Sequence, residues 1–192
     1  MTTGAVFPAE TVLSDGSVYR VVPVETGVRA IRAWVEHPWP MSPAQALALR
    51  DRLGWTSSLT NERMFTTDHG IGEKDASFNT IEAGGDTRTV SSFHLSLTSR
   101  IPKPVRAEAV PTAERAFNAY VEALTAVYGQ GARSRSRGVL SVKWTPPNDT
   151  LVDIGTVGRV VSVDVDSPVG NEIARGEAQY FAEIADENDP AR

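Results

Sequence analysis

Residues 112–131, TAERAFNAYVEALTAVYGQG, constrain the fold more than any other stretch. Ala113, Phe117, Tyr120, Leu124 and Tyr128 recur in steps of three and four, while Ala116, Val121 and Val127 widen the apolar face. Thr112 stands where a cap is needed, and Glu114 places a carboxylate in the first turn. Arg115 occupies the position where a capping box wants Glu or Gln. Gly129 and Gly131 end the pattern, because glycine accepts the left-handed conformation that closes a helix. A helix with so broad an apolar face must lie on something, and alternating β segments flank it on both sides.

Residues 1–10 read as a flexible lead-in and 186–192 as a flexible tail, leaving 11–185 as one domain. Residues 11–24 carry a hairpin signal, with Asp15-Gly16 between two runs of β-formers. Val28, Ile31, Trp34 and Val35 keep helical spacing, and Pro38 and Pro40 close that segment. Ser42-Pro43 opens a second helix: Ser42 caps, Pro43 needs no donor there, and Gln45 completes a capping box. Ala46, Leu49 and Leu53 form its stripe, and Gly54 ends it.

Strands are predicted at 63–67, 76–82 and 88–98, the last two joined by Ala83-Gly84-Gly85-Asp86 and the last irregular near Ser91-Ser92. Arg133-Ser134-Arg135-Ser136-Arg137-Gly138 reads as a basic loop. Residues 139–145, 150–156 and 159–166 follow as three antiparallel strands, with Val161, Val163 and Val165 alternating against Ser162, Asp164 and Asp166. Asn171 is the expected cap of a final helix through Ile173, Ala174, Ala178, Tyr180, Phe181 and Ile184. Segregated strands and helices with tight turns predict an α+β fold, a twisted, mainly antiparallel sheet with helices packed on one face.

Charge and composition narrow the functional classes. The 192-residue chain has no cysteine, which excludes disulfides, thiolate nucleophiles and cysteine-based zinc sites. Nothing at the N-terminus resembles a secretory signal, and no apolar run approaches the ~18–20 residues that span a bilayer. A cytoplasmic protein without membrane partners is expected. The formal charge of −5 disfavours nucleic acid and suits a basic protein partner. Lysine is confined to Lys74, Lys103 and Lys143, and the arginine, alanine, valine and glycine content suits a GC-rich bacterial genome.

The search for chemistry yields no catalytic signature. His37, His69 and His94 form no two-histidine metal motif, so neither a metal nor another cofactor is expected. The segment 68–75, DHGIGEKD, is chemically the densest, and Asp68 beside His69 is the alternative catalytic pair of a small hydrolase-type enzyme. It is no Walker loop, and its plain reading is a connection between strands. Asp164 and Asp166 share one strand face with Asp153 nearby, which makes an acidic recognition surface for a basic partner. The arginines at 133, 135 and 137 are too few for a phosphate site. Trp39, held between Pro38 and Pro40, is the tryptophan expected to be exposed and to anchor a partner.

Several features together carry a resemblance covering roughly residues 42–184. They are the helix ending Leu53-Gly54-Trp55-Thr56, the Phe117/Tyr120 helix, the Val142/Trp144 strand, and the hairpin leading into Asp166-Ser167-Pro168. This arrangement is similar to small α+β domains of GC-rich bacteria that look like immunity proteins of polymorphic toxin systems. The resemblance implies a non-enzymatic domain that binds and neutralises a cognate toxin, and it brings no functional residues with it. The expected partner surface is Trp39, Asp153, Asp164 and Asp166. A chaperone for secretion substrates is the rival among binding proteins.

Overall fold

The computed structural model of the protein describes residues 10–85, 87–136 and 138–187. The chain starts with a hairpin, β1 (Glu10–Val12) and β2 (Val18–Arg20), which forms a two-stranded sheet of its own. Helices α1 (Val24–Val35) and α2 (Pro43–Arg52) come next, then β3 (Thr56–Ser57), β4 (Met64–Thr66), β5 (Ala76–Glu82) and β6 (Arg88–Ser96). A 3-10 turn, Lys103–Val105, leads into α3 (Arg106–Tyr128). The chain continues through β7 (Ala132–Ser136), β8 (Val139–Trp144), β9 (Leu151–Thr156) and β10 (Val161–Asp166) to α4 (Pro168–Glu187).

β3 to β10 build one eight-stranded sheet in the order β3-β4-β5-β6-β10-β9-β8-β7, antiparallel at each pairing. The last strand therefore slots into the middle and joins the two halves. This is an α+β fold with a twisted open sheet. A register shift at Asn79/Thr80 leaves Ser91 without a partner in β5, which is the irregularity expected near Ser91-Ser92.

The core lies between α1, α3 and one face of the sheet. Ile31 and Trp34 of α1, and Phe117, Tyr120 and Leu124 of α3, are buried with Phe78, Phe93, Leu95, Val152, Ile154, Val163 and Val165. Trp34 stacks on Phe93 with centroids 4.0 Å apart and planes within 6°. Each fully buried large apolar side chain contributes about 1.5–3 kcal/mol, so this layer dominates stability. Tyr120 locks the two helices to the chain entering α1, its hydroxyl donating to the Val22 carbonyl at 2.9 Å. No described helix is long and apolar enough to cross a membrane.

Local signals and tertiary context disagree at four places. The organising helix begins at Arg106, so Thr112 is a buried interior residue instead of its cap, and Pro111 lies inside the helix. Burial of Val105 and Ala109, and the bond from the Ser14 amide to Glu108 at 2.9 Å, hold the added turns. The 133–138 segment is no loop, because residues 132–136 pair with β8 as the edge strand β7. Arg137 and Asp86 lie outside the described residues. Asn171 does not cap α4. Ser167 does, its Oγ accepting the Gly170 amide at 3.0 Å with Pro168 opening the helix, while buried Asn171 donates to the Asp149 carbonyl. At the ends, Glu10 belongs to β1 and α4 runs to Glu187, and the rest of the expected lead-in and tail falls outside the described residues.

Candidate functional site

The strand alternation that buries Val161, Val163 and Val165 turns Ser162, Asp164 and Asp166 to the other side of the sheet, away from α1 and α3. Register then sets a polar row across five strands: Ser77 of β5 opposite His94, His94 opposite Asp164, Asp164 opposite Asp153, and Asp153 opposite Lys143. Two contacts tie the row together. His94 Nδ1 and Asp164 Oδ1 are 2.8 Å apart, and Lys143 Nζ lies 3.2 Å from Asp153 Oδ2. The second oxygen of Asp153, Oδ1, is shielded from solvent and has no hydrogen-bond partner.

Asp166 stands two residues beyond Asp164 on the same face. Its carboxyl is held above the ordinary carboxylate range, first by burial and then by the charges of Asp164 and Asp153, with Lys143 acting in the opposite sense. The three aspartates therefore repel one another at neutral pH. Beside them a shallow depression of about 210 Å³ lies over Gly155, lined by Asp153, Asp164, Ser141 and Ser162 among others. Among the described residues no three histidine, aspartate or glutamate side chains form a metal-holding group.

Trp39 is not part of this face. It is half-buried against the core, its Nε1 donating to the Val35 carbonyl at 3.4 Å. With Pro40, Thr89, Asp149 and Ser167 it lines a larger cavity of about 590 Å³ at the first turn of α4. Asp153 and Asp164 line the depression over Gly155, Trp39 lines the larger cavity and Asp166 lines neither, so the four residues expected to form one partner surface are not gathered in one concavity.

The Asp68–His69 pair has a different character. The His69 side chain is 5% exposed and sits edge-on to Trp55, with ring centroids 5.9 Å apart, while Asp68 is 67% exposed. Nε2 lies 3.5 Å from Asp68 Oδ1, too far for a firm hydrogen bond, and Nδ1 is buried without a partner. Burial lowers the imidazole pKa, against the raising influence of Asp68 and Asp75. Buried Asp75 accepts from the Thr67 amide at 2.7 Å and from the Thr67 hydroxyl at 2.6 Å, which pins the loop. Neither Asp68 nor His69 lines either of the two cavities described above.

Sequence reasoning missed His94, Lys143 and Gly155 as members of the face. His94 lies between buried Phe93 and Leu95 in β6, so the pleat turns it to the opposite face. Its aspartate partner is 70 residues away in sequence, and only strand order reveals it. A glycine inside a strand was the one local signal available.

A family model described as a family of unknown function (DUF6301) matches residues 25–167. The matched span takes in α1 from its second residue and the whole eight-stranded sheet, and stops at the Ser167 cap. No curated protein and no solved structure matches the chain.

Proposed function

The chain belongs to the DUF6301 family, a family of unknown function, and we propose that it is a non-enzymatic protein-binding domain whose partner docks on the open sheet face. The observation that carries this reading is the cross-strand row His94–Asp164–Asp153–Lys143 with Asp166 beside it. It is a broad polar surface on a rigid sheet, with the carboxylates in excess over the cations. Such a surface steers a basic partner and fixes its orientation. The finer proposal is that the domain is an immunity protein, and that the partner is a basic toxin domain whose active surface it covers. The net charge of −5 agrees with a basic partner.

The test uses the products of the genes beside this one, purified singly and titrated against the protein by calorimetry. One of them is expected to bind with submicromolar affinity. The triple variant Asp153→Asn/Asp164→Asn/Asp166→Asn should weaken that binding at least tenfold and flatten its salt dependence. Unchanged affinity in the triple variant would remove the face from the reading. Co-expression addresses the immunity role: the protein should protect a host from the toxic partner, and the triple variant should not. Binding without protection, to an exported helical protein, would identify a secretion chaperone instead.

A further inference from the structure

Gly155 is the one glycine within a strand of the large sheet among the described residues, and nothing in the fold requires it. Its backbone lies outside the left-handed region. A Cβ added there would meet Val139 Cγ1 at 3.7 Å, the Leu140 carbonyl oxygen at 3.8 Å and Ser141 Cβ at 4.0 Å, all ordinary contact distances. Three other glycines are different. A Cβ at Gly27 would strike the Tyr120 hydroxyl, one at Gly131 the Trp144 ring, and one at Gly170 the Ser91 carbonyl. Glycine weakens a strand interior, so at position 155 the chain gives up β propensity without a packing reason. What the missing side chain does achieve is a depression floored by bare backbone between two strands.

The surroundings of that depression have a direction. Asp153 precedes Gly155 by two residues on β9, and Asp164 lies directly across from Asp153 on β10, so both carboxylates stand at one end. Beyond the other end are Val157 and Val139, 44% and 38% exposed. Ser162 and Ser141 sit opposite Gly155 on the two neighbouring strands. Apolar groups at one end and two carboxylates at the other match a long aliphatic stem with a cationic head. Directly opposed residues have Cβ atoms about 4.5–5.5 Å apart, a spread that suits the planar fork of a guanidinium better than a compact ammonium. In the free protein Lys143 already lies against Asp153 Oδ2 and His94 against Asp164 Oδ1, while Asp153 Oδ1 has no donor but is shielded from solvent, so the guanidinium has to share the carboxylates with these two partners.

We propose that the hollow over Gly155 is the socket for an arginine side chain of the partner protein, an inference that rests on the sheet face being the docking surface. The arginine stem lies across the Gly155 backbone against Val139 and Val157, and its guanidinium bridges Asp153 and Asp164.

The test needs no partner. Isotope-labelled protein is titrated with N-acetyl-arginine amide, with the lysine analogue, and with the uncharged citrulline analogue, and amide shifts are followed by NMR. Saturating shifts centred on Gly155, Ser162 and Asp153 are expected with the arginine compound, at a Kd on the order of millimolar for so small a ligand. The citrulline compound should bind at least tenfold more weakly and the lysine compound several-fold more weakly. Gly155→Val should abolish the response without lowering the melting temperature, since valine favours a strand. Gly155→Ala should weaken it. Scattered shifts, an equal response to citrulline or lysine, or a response retained by Gly155→Val would each overturn the socket. The docking face itself stands or falls separately, on the affinity of the triple aspartate variant for the partner.

Discussion

A histidine ring with almost no solvent contact stays neutral because ionising it there means desolvating a cation. Burial holds the His69 pKa below the ordinary value, so the unfolded chain takes up the proton first as the pH falls. Stability from this group is therefore complete above about pH 6.5, the unfolded value, and is lost as the pH drops through the lower folded value. Urea midpoints for the wild type should decline across that window, and His69→Gln should remove the decline. A second prediction concerns Gly27, where any side chain meets the Tyr120 hydroxyl that bonds the Val22 carbonyl. Gly27→Ala should cost about 1–3 kcal/mol, read as a lower urea midpoint at unchanged slope. At this scale the sequence marked Asp68 and His69 as chemically interesting from their adjacency alone. Their unequal burial followed from Trp55 folding onto the imidazole, a contact no local pattern encodes.

Elements whose determinants are local were readable. In α2 the Ser42 hydroxyl accepts the Gln45 amide at 3.3 Å, and the Gln45 side chain accepts the Ser42 amide at 2.8 Å. All of that lies within one turn, and Ser42→Ala should cost about 1 kcal/mol in thermal or urea unfolding. The start of α3 was misread because Pro111 and Thr112 together imitate a helix boundary. The true start depends on burial of Val105 and Ala109 and on Ser14 from the first hairpin. Likewise β7 has no apolar alternation, being exposed at every position. It is a strand because β8 offers it hydrogen bonds, and Arg133 and Arg135 are the kind of charges that discourage further strands from joining an edge.

At the scale of the whole molecule, one sheet face holds the fold together and the other carries charge at some expense to it. Asp166 illustrates the conflict. Its raised pKa means that stability is greatest where the group is protonated and is lost as the pH rises through the folded value. Asp166→Asn should therefore raise the melting temperature at pH 7 while weakening partner binding, an opposition that a purely structural aspartate would not show. The α+β class, the buried faces of α1 and α3, the capping box and the polar alternation of β10 were determined by the sequence alone, because periodicity and short-range hydrogen bonds act between residues close along the chain. Val127 of α3 and Ile173 and Tyr180 of α4, expected on apolar faces, are exposed instead. The tertiary structure alone decided that β10 inserts beside β6. That placement aligns His94, Asp164, Asp153 and Lys143, separates Trp39 from the acids, and leaves Gly155 at the floor of a hollow. Strand order depends on which distant surfaces bury the most apolar area together, and no window of neighbouring residues contains that comparison.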